Sequence, residues 1–217
     1  VTNSDSTKKL GESAAIVGAP WAKSSYYDDA ERWTFIFWDE DKSFRHLFNQ
    51  MDLTSVLELS CGHGRHAECV AKMTDRLTLM DVHNGNLDFC RDRLRAYPFI
   101  RYVKGDGYSF EPIEQESVTA IFCYDSMVHF SPDIVENYLK DAARILRPGG
   151  MGLFHHSNYP APMDRHYGRN PQARNHMTKK LFEAYAKNAG LTIRESNIIP
   201  WGGVNELDCV TLVERPG

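Results

Sequence analysis

The 217-residue chain is 42% hydrophobic and 25% charged, which fits one folded domain with a real core and excludes a disordered protein. Lys plus Arg number 25 against 29 Asp plus Glu, a net charge of -4 that argues against general nucleic-acid binding and leaves room for a local basic pocket. No apolar run approaches the roughly 18 residues of a membrane span, and the opening VTNSDSTKKLGESAAIVGAPW has no apolar core of a signal peptide.

Residues 1–20 are polar with small apolar interruptions and read as a tail or an initial helix. Residues 21–50 are crowded with aromatic rings, among them Trp21, Tyr26, Tyr27, Trp33, Phe37 and Trp38. That density suits a helical cap packed on the domain over its ligand cleft, so residues 1–50 are set apart from a main domain over 51–217. An alternation of strand-like and helix-like segments follows. Residues 55–60 (SVLELS) predict a strand and 64–73 a helix; 77–81 (LTLMD) predict a second strand. Leu87, Cys90 and Leu94 recur at helical spacing until Pro98, and residues 100–104 make a third strand. Residues 118–124 (VTAIFCY) are continuously apolar, as in a strand buried on both faces. Ser131 and Pro132 mark a helix start, and Pro148, Gly149 and Gly150 its stop.

Residues 151–155 predict a fifth strand, 156–176 a long polar insert, and 178–189 a helix ended by Gly190. Residues 193–198 and 209–213 close the pattern as two strands with no helix-length segment between them, so the last strand should run antiparallel to its neighbour. The sum is an α/β chain with a seven-stranded, mostly parallel sheet covered on both faces. Cysteines at 61, 69, 90, 123 and 209 form no CxxC pair, and their number is odd. They read as reduced, mostly buried thiols of a cytoplasmic protein, and their spacing does not suit zinc.

The informative segment is VLELSCGHGRH, residues 56–66. Gly62 and Gly64 bracket His63 between a strand and a helix, where a tight turn and exposed helix N–H groups let a ligand approach. Asp81 ends the second strand, placed to accept from both ribose hydroxyls. After the third strand, KGDGYSF offers Asp106 to an adenine amino group with Tyr108 or Phe110 against the ring. All three positions follow strand ends on one sheet edge, so the residues point to an adenosine-bearing cofactor.

These segments, with IFCYDSMVHF at 121–130 and ILRPGGMGLF at 145–154, resemble the class I, Rossmann-like, S-adenosylmethionine-dependent methyltransferases of the small-molecule type over about residues 50–215. One departure is Ser60, where that family commonly has the first glycine of GxGxG. The resemblance implies a three-layer sandwich and a cytoplasmic enzyme that consumes S-adenosylmethionine and releases S-adenosylhomocysteine. It places Glu58, Ser60, Cys61, Gly62 and Gly64 along the amino acid part of the cofactor and Asp81 on the ribose. It places Asp106, Gly107 and Tyr108 beside adenine, and Tyr124 and Asp125 near the methyl group. Tyr26, Tyr27, Trp33 and Trp38 stand in the region where such enzymes often cap the cofactor. A nicotinamide dehydrogenase is the rival; the terminal hairpin, DGYSF and RPGG favour methyl transfer.

On the reacting side, His129 follows the fourth strand and is the leading base candidate. His155 and Glu206 are further base candidates. His156, Tyr159, Arg165, Arg169 and Trp201 border the expected acceptor pocket. Asp164 is the sole acidic residue from 155 to 182, so the insert with Arg165, Arg169 and Arg174 could attract an anionic group on the acceptor. No metal is expected, because the histidines match no metal-binding pattern and few carboxylates lie near them. With no separate recognition domain, a small-molecule acceptor with a hydroxyl oxygen is expected. An amine acceptor comes next, then a nucleic-acid or protein methyltransferase, then a binding scaffold without catalysis.

Overall fold

The computed structural model describes residues 3–162 and 164–217. Helix α1 (Asn3–Gly18) and three short helices, α2 (Tyr26–Ala30), α3 (Phe35–Trp38) and α4 (Ser43–Phe48), precede the sheet. The alternating part runs β1 (Val56–Leu59), α5 (Arg65–Val70), β2 (Leu77–Asp81), α6 (Asn84–Arg93), β3 (Arg101–Lys104) and β4 (Val118–Cys123). It continues with α7 (Pro132–Ile145), β5 (Leu146–Ser157), α8 (Lys179–Asn188), β6 (Thr192–Trp201) and β7 (Val204–Glu214). The strand order is β3-β2-β1-β4-β5-β7-β6. β1 to β5 pair in parallel, and β7 pairs antiparallel with both β5 and β6. This is the Rossmann-like sheet expected from the sequence, with its last strand reversed.

Two connections differ from expectation. β5 starts at Leu146 rather than 151, because the RPGG stretch keeps bonding: Gly149 N–H donates to Arg215 O at 2.8 Å, and Arg215 N–H to Gly150 O at 2.9 Å. β6 and β7 extend toward each other until Gly202 and Gly203 remain as the turn, at φ +54° and +80°. Left-handed backbone at both central positions is what a two-residue hairpin needs, and the glycines supply it. At α7, Ser131 stands at the cap position, but its hydroxyl donates to the Asp133 carboxylate instead of accepting a helix N–H.

The sheet separates two apolar layers. Val118, Ile121 and Cys123 of β4 face the layer with Tyr138 of α7 and Phe182 of α8. Ala120, Phe122 and Tyr124 face the layer with Phe37, Phe44 and Phe48. All six residues of β4 are buried, as a central strand covered on both faces must be. Much of the aromatic segment is therefore core. Phe37 and Phe48 are fully buried, whereas Trp33 and Phe35 stay exposed. Among the described residues, no helix is long and apolar enough to cross a membrane.

Candidate active site

The carboxyl ends of β1 to β4 converge on one cleft. The turn after β1 holds Ser60 at φ +58°, Gly62 at +51° and Gly64 at +76°. Ser60 thus adopts the left-handed backbone that glycine takes most easily, a strain of about 1–2 kcal/mol for a residue with Cβ. Gly62 has a second reason to be glycine: a Cβ there would lie 2.6 Å from the Tyr27 ring. Its N–H donates to Asp81 Oδ2 at 3.0 Å, and its carbonyl accepts from Cys90 Sγ at 3.2 Å. Ser60, Cys61, Gly62, Asp81, Gly107, Tyr124 and Asp125 all line the cleft.

Asp81 is buried, and its Oδ1 also accepts from His83 N–H at 2.9 Å and Asn86 Nδ2 at 3.1 Å. Burial still pushes its carboxyl above the ordinary range, because desolvation outweighs these three bonds. A carboxylate in that state gains from further donors, and a ribose diol brings two. Past β3, a Cβ on Gly107 (φ +89°) would come within 2.9 Å of Ala14 Cβ and 3.1 Å of Val82 Cγ1. That leaves a narrow apolar slot beside the diol acceptor. The carboxylate acceptor and the slot fit the adenosine half of S-adenosylmethionine.

The roof comes from the N-terminal segment. Ala14, Val17 and Gly18 of α1, then Trp21, Tyr26, Tyr27 and Ala30, close over the strand ends. The Tyr27 ring stacks on His63 at 4.2 Å, and its hydroxyl accepts from Asn86 Nδ2 at 3.0 Å. Tyr26 donates to Asp125 Oδ2 at 2.5 Å, and Arg65 Nη2 donates to the same oxygen at 2.9 Å. Burial and the Asp125 carboxylate both raise the Tyr26 phenol, so it stays protonated. Asp125 holds φ +56°.

His129 lines the cleft and is buried under Trp21, whose ring lies 4.8 Å from the imidazole. Its Nδ1 bonds Ala173 O at 2.8 Å. A carbonyl only accepts, so Nδ1 carries the proton and Nε2 keeps a lone pair. Desolvation pushes its pKa down to about 4, which leaves the ring neutral at physiological pH.

Other sequence candidates sit elsewhere. Trp38 is outside the cleft lining: its indole N–H donates to His66 Nδ1 at 3.0 Å, and its ring packs on Phe44 and Phe48. Glu58 is buried in β1, its carboxyl raised well above the usual range by desolvation, and its Oε2 has no partner among the described residues. Asp106 caps its own turn, accepting from the N–H groups of Tyr108 and Ser109 at 2.9 and 2.7 Å, and neither Asp106 nor Tyr108 lines the cleft. Both His155 nitrogens are engaged, Nδ1 by Asp125 N–H at 3.1 Å and Nε2 by Asp208 Oδ2 at 2.9 Å, so the ring has no site left for a proton in transit. His156 points to the other layer and stacks on Phe182 at 3.8 Å. Trp201 packs behind Tyr124 and His155. Tyr159, the exposed Arg165 and Arg169, and the exposed Glu206 do not line the cleft either. Arg174, read as part of a basic loop, is instead buried and neutralised by Asp208.

Sequence reasoning left Arg65 and Asp208 unassigned and read residues 1–20 as a tail or an initial helix, without placing them in the site. Asp208 carried a signal: an acid inside the apolar run LDCVTLV calls for a buried partner.

The buried histidines give an expected pH response. Burial lowers His66 strongly, His129 to about 4 and His156 to about 3, against about 6.5 in the unfolded chain. The unfolded state therefore binds protons that the fold refuses, and stability falls as pH drops from about 6.5 toward 4. Glu58 and Asp81, raised by burial, oppose this in part. Denaturant unfolding at pH 7 and pH 5 should show a loss of about 2 kcal/mol or more; equal or greater stability at pH 5 contradicts the neutral buried rings.

Residues 56–150 match a family described as "Methyltransferase domain". The chain is similar to phthiotriol/phenolphthiotriol dimycocerosates methyltransferase 1 of Mycobacterium ulcerans, 34% identical across 46% of this chain and 36% of that protein. It is likewise similar to fatty-acid O-methyltransferase of Mycolicibacterium smegmatis, 32% identical across 46% and 35%. The chain thus spans about a third of the length of these curated relatives. Among solved structures, geranyl diphosphate C-methyltransferase from Streptomyces coelicolor superposes with a TM-score of 0.70 over 94% of this chain and 97% of that one, at 10% identity. That likeness is one of fold. The matched segment supplies the glycine turn, Asp81, Gly107 and the end of β4, so residues 56–150 carry a methyltransferase domain on a class I, Rossmann-like sheet.

Proposed function

We propose that this chain transfers a methyl group to a hydroxyl oxygen of a small, apolar, neutral acceptor, with His129 taking the proton. The observation that carries this reading is His129 in the same cleft as Asp81 and the glycine turn, its Nδ1 tied to Ala173 O. Bound S-adenosylmethionine supplies an electrophilic methyl on a sulfonium. Asp81 binds the ribose hydroxyls, Gly62 and Gly107 allow close approach, and Tyr27 covers the turn. Trp21, Tyr26, Tyr124 and Phe130 line the same cleft and exclude water from the acceptor. The acceptor oxygen gains acidity only as its bond to carbon forms. A weak base therefore suffices, and Nε2 of His129 receives the proton late in the displacement.

A neutral acceptor is favoured because Arg65, the cationic side chain in the lining, is already shared between Asp125 and Ala30 O. An anionic group would have to reach Arg165 and Arg169 on the exposed insert. The name of one relative, a fatty-acid O-methyltransferase, agrees with an apolar body and an oxygen acceptor. Buried free thiols at Cys61, Cys90, Cys123 and Cys209 suit a reducing compartment, and we place the chain in the cytoplasm.

Incubating the purified chain with S-adenosylmethionine and panels of long-chain alcohols, phenols, carboxylic acids and amines tests this reading. A mass gain of one methyl on neutral alcohols or phenols is expected. Gain confined to amines overturns the oxygen assignment, and gain confined to acids overturns the neutral one. Absence of binding heat with S-adenosylmethionine and S-adenosylhomocysteine overturns the whole reading.

A further inference from the structure

The Asp208–Arg174 pair lies outside the cleft lining, yet it connects to two of the polar groups inside it. We infer that it is the positioning element of the reacting site, holding His129 and Asp125 through two separate arms. This rests on the reading of His129 as the proton acceptor.

The pair itself is fully desolvated: Asp208 has no exposed surface, and Arg174 is 2% exposed. Arg174 Nε donates to Asp208 Oδ1 at 2.8 Å and Nη2 to Oδ2 at 2.5 Å, a bidentate fork. Against the upward push of burial, His155 and Arg174 hold the Asp208 carboxyl at about 2. Apolar residues of similar volume often stabilise a fold as well as such a pair does, so stability alone does not account for these two side chains.

The first arm runs through the insert. Arg174 Nη1 donates to Gln172 O at 2.9 Å. Gln172 and Ala173 both hold left-handed backbone, at φ +50° and +53°, which L-residues rarely adopt unless the surroundings enforce it. In that shape, Ala173 O accepts from His129 Nδ1 at 2.8 Å. On the other side of Arg174, Asn175 N–H donates to Val128 O at 2.9 Å, and Asn175 Nδ2 donates to His129 O at 3.2 Å. The residues flanking Arg174 therefore grip His129 by ring and by backbone. The grip on Nδ1 is what leaves the lone pair on Nε2.

The second arm starts from the same carboxylate. Asp208 Oδ2 accepts from His155 Nε2 at 2.9 Å, which fixes the proton there and makes Nδ1 an acceptor. That nitrogen takes the Asp125 N–H at 3.1 Å. Asp125, at φ +56°, then presents its carboxylate to Tyr26 and Arg65 in the cleft. One buried carboxylate thus sets the tautomer of one cleft residue and the backbone of another.

The test uses Asp208→Asn, Arg174→Lys and the apolar double variant Arg174→Met with Asp208→Leu, in the full chain. Two readouts are needed: the side-chain 15N signals of His129, which report its tautomer without any substrate, and the kinetics of methyl transfer. Folded variants should keep affinity for S-adenosylmethionine within about threefold and lose kcat by roughly 10²-fold, the usual effect of displacing a reacting group by about 1 Å. His129 should lose its single Nδ1–H signature, with Arg174→Lys the least affected. Any folded variant of the three that keeps both the Nδ1–H signature and the kcat overturns the inference. Should one variant fail to fold, the others carry the same readouts. If the methyl-transfer reading itself fails, the wild type shows no transfer either, while the nitrogen signals still report whether the pair fixes His129.

Discussion

His129→Ala should lower the turnover of methyl transfer by about 10²–10⁴-fold, the contribution of a positioned base, with affinity for S-adenosylmethionine unchanged. The argument is geometric first. The ring lines the cleft, and a carbonyl fixes its tautomer so that Nε2 is the open acceptor. Its low proton affinity adds a signature. With a pKa near 4, the residue stays neutral through the whole working range. The acidic limb of kcat/KM should therefore bend near pH 4 rather than near the ordinary histidine value of about 6.5. A limb near pH 6.5 contradicts the depressed proton affinity, and a fully active His129→Ala enzyme removes this residue from the chemistry.

The second large effect is expected at the donor end. Asp81→Ala should weaken S-adenosylmethionine and S-adenosylhomocysteine alike by about 10²–10⁴-fold, since two hydroxyl bonds to a charged acceptor are worth roughly 1.5–3 kcal/mol each. Part of the loss comes from the turn itself, because Gly62 N–H, His83 N–H and Asn86 Nδ2 lose their common acceptor. Asp81→Asn separates the two effects: one amide oxygen can still hold a turn donor but cannot serve both hydroxyls. Calorimetry with either ligand measures both variants. Wild-type affinity in Asp81→Ala would place the ribose elsewhere.

Much of this was legible in the sequence, because local rules and tertiary demands agree there. The apolar run of β4 is central in the sheet and buried throughout. Asp81 ends a strand, and Gly62 bonds directly to it. The reversal of β7 follows from two strands with no room for a crossover helix. What stayed hidden depends on pairings across long separations. Nothing local distinguishes Arg174 from the exposed Arg165 and Arg169, because its burial depends on Asp208, a partner 34 residues away. Asp106 illustrates the converse: its sequence position suits adenine, but the nearest donors are its own turn amides, and they take the carboxylate. Trp38 and Tyr27 come from one aromatic segment, and of the two only Tyr27 lines the cleft, since Trp38 bonds His66 and packs on Phe44 and Phe48.

The cleft has two parts of different provenance in the chain. Its floor comes from strand ends within residues 56–150, and most of its roof from residues 14–31, which precede that segment. The cleft is therefore closed by two separate stretches of polypeptide, with Ala14 and Tyr27 of the roof meeting Gly107 and Gly62 of the floor. Changes in the roof can then reshape the cleft while the strand-end turns of the floor keep their sequence.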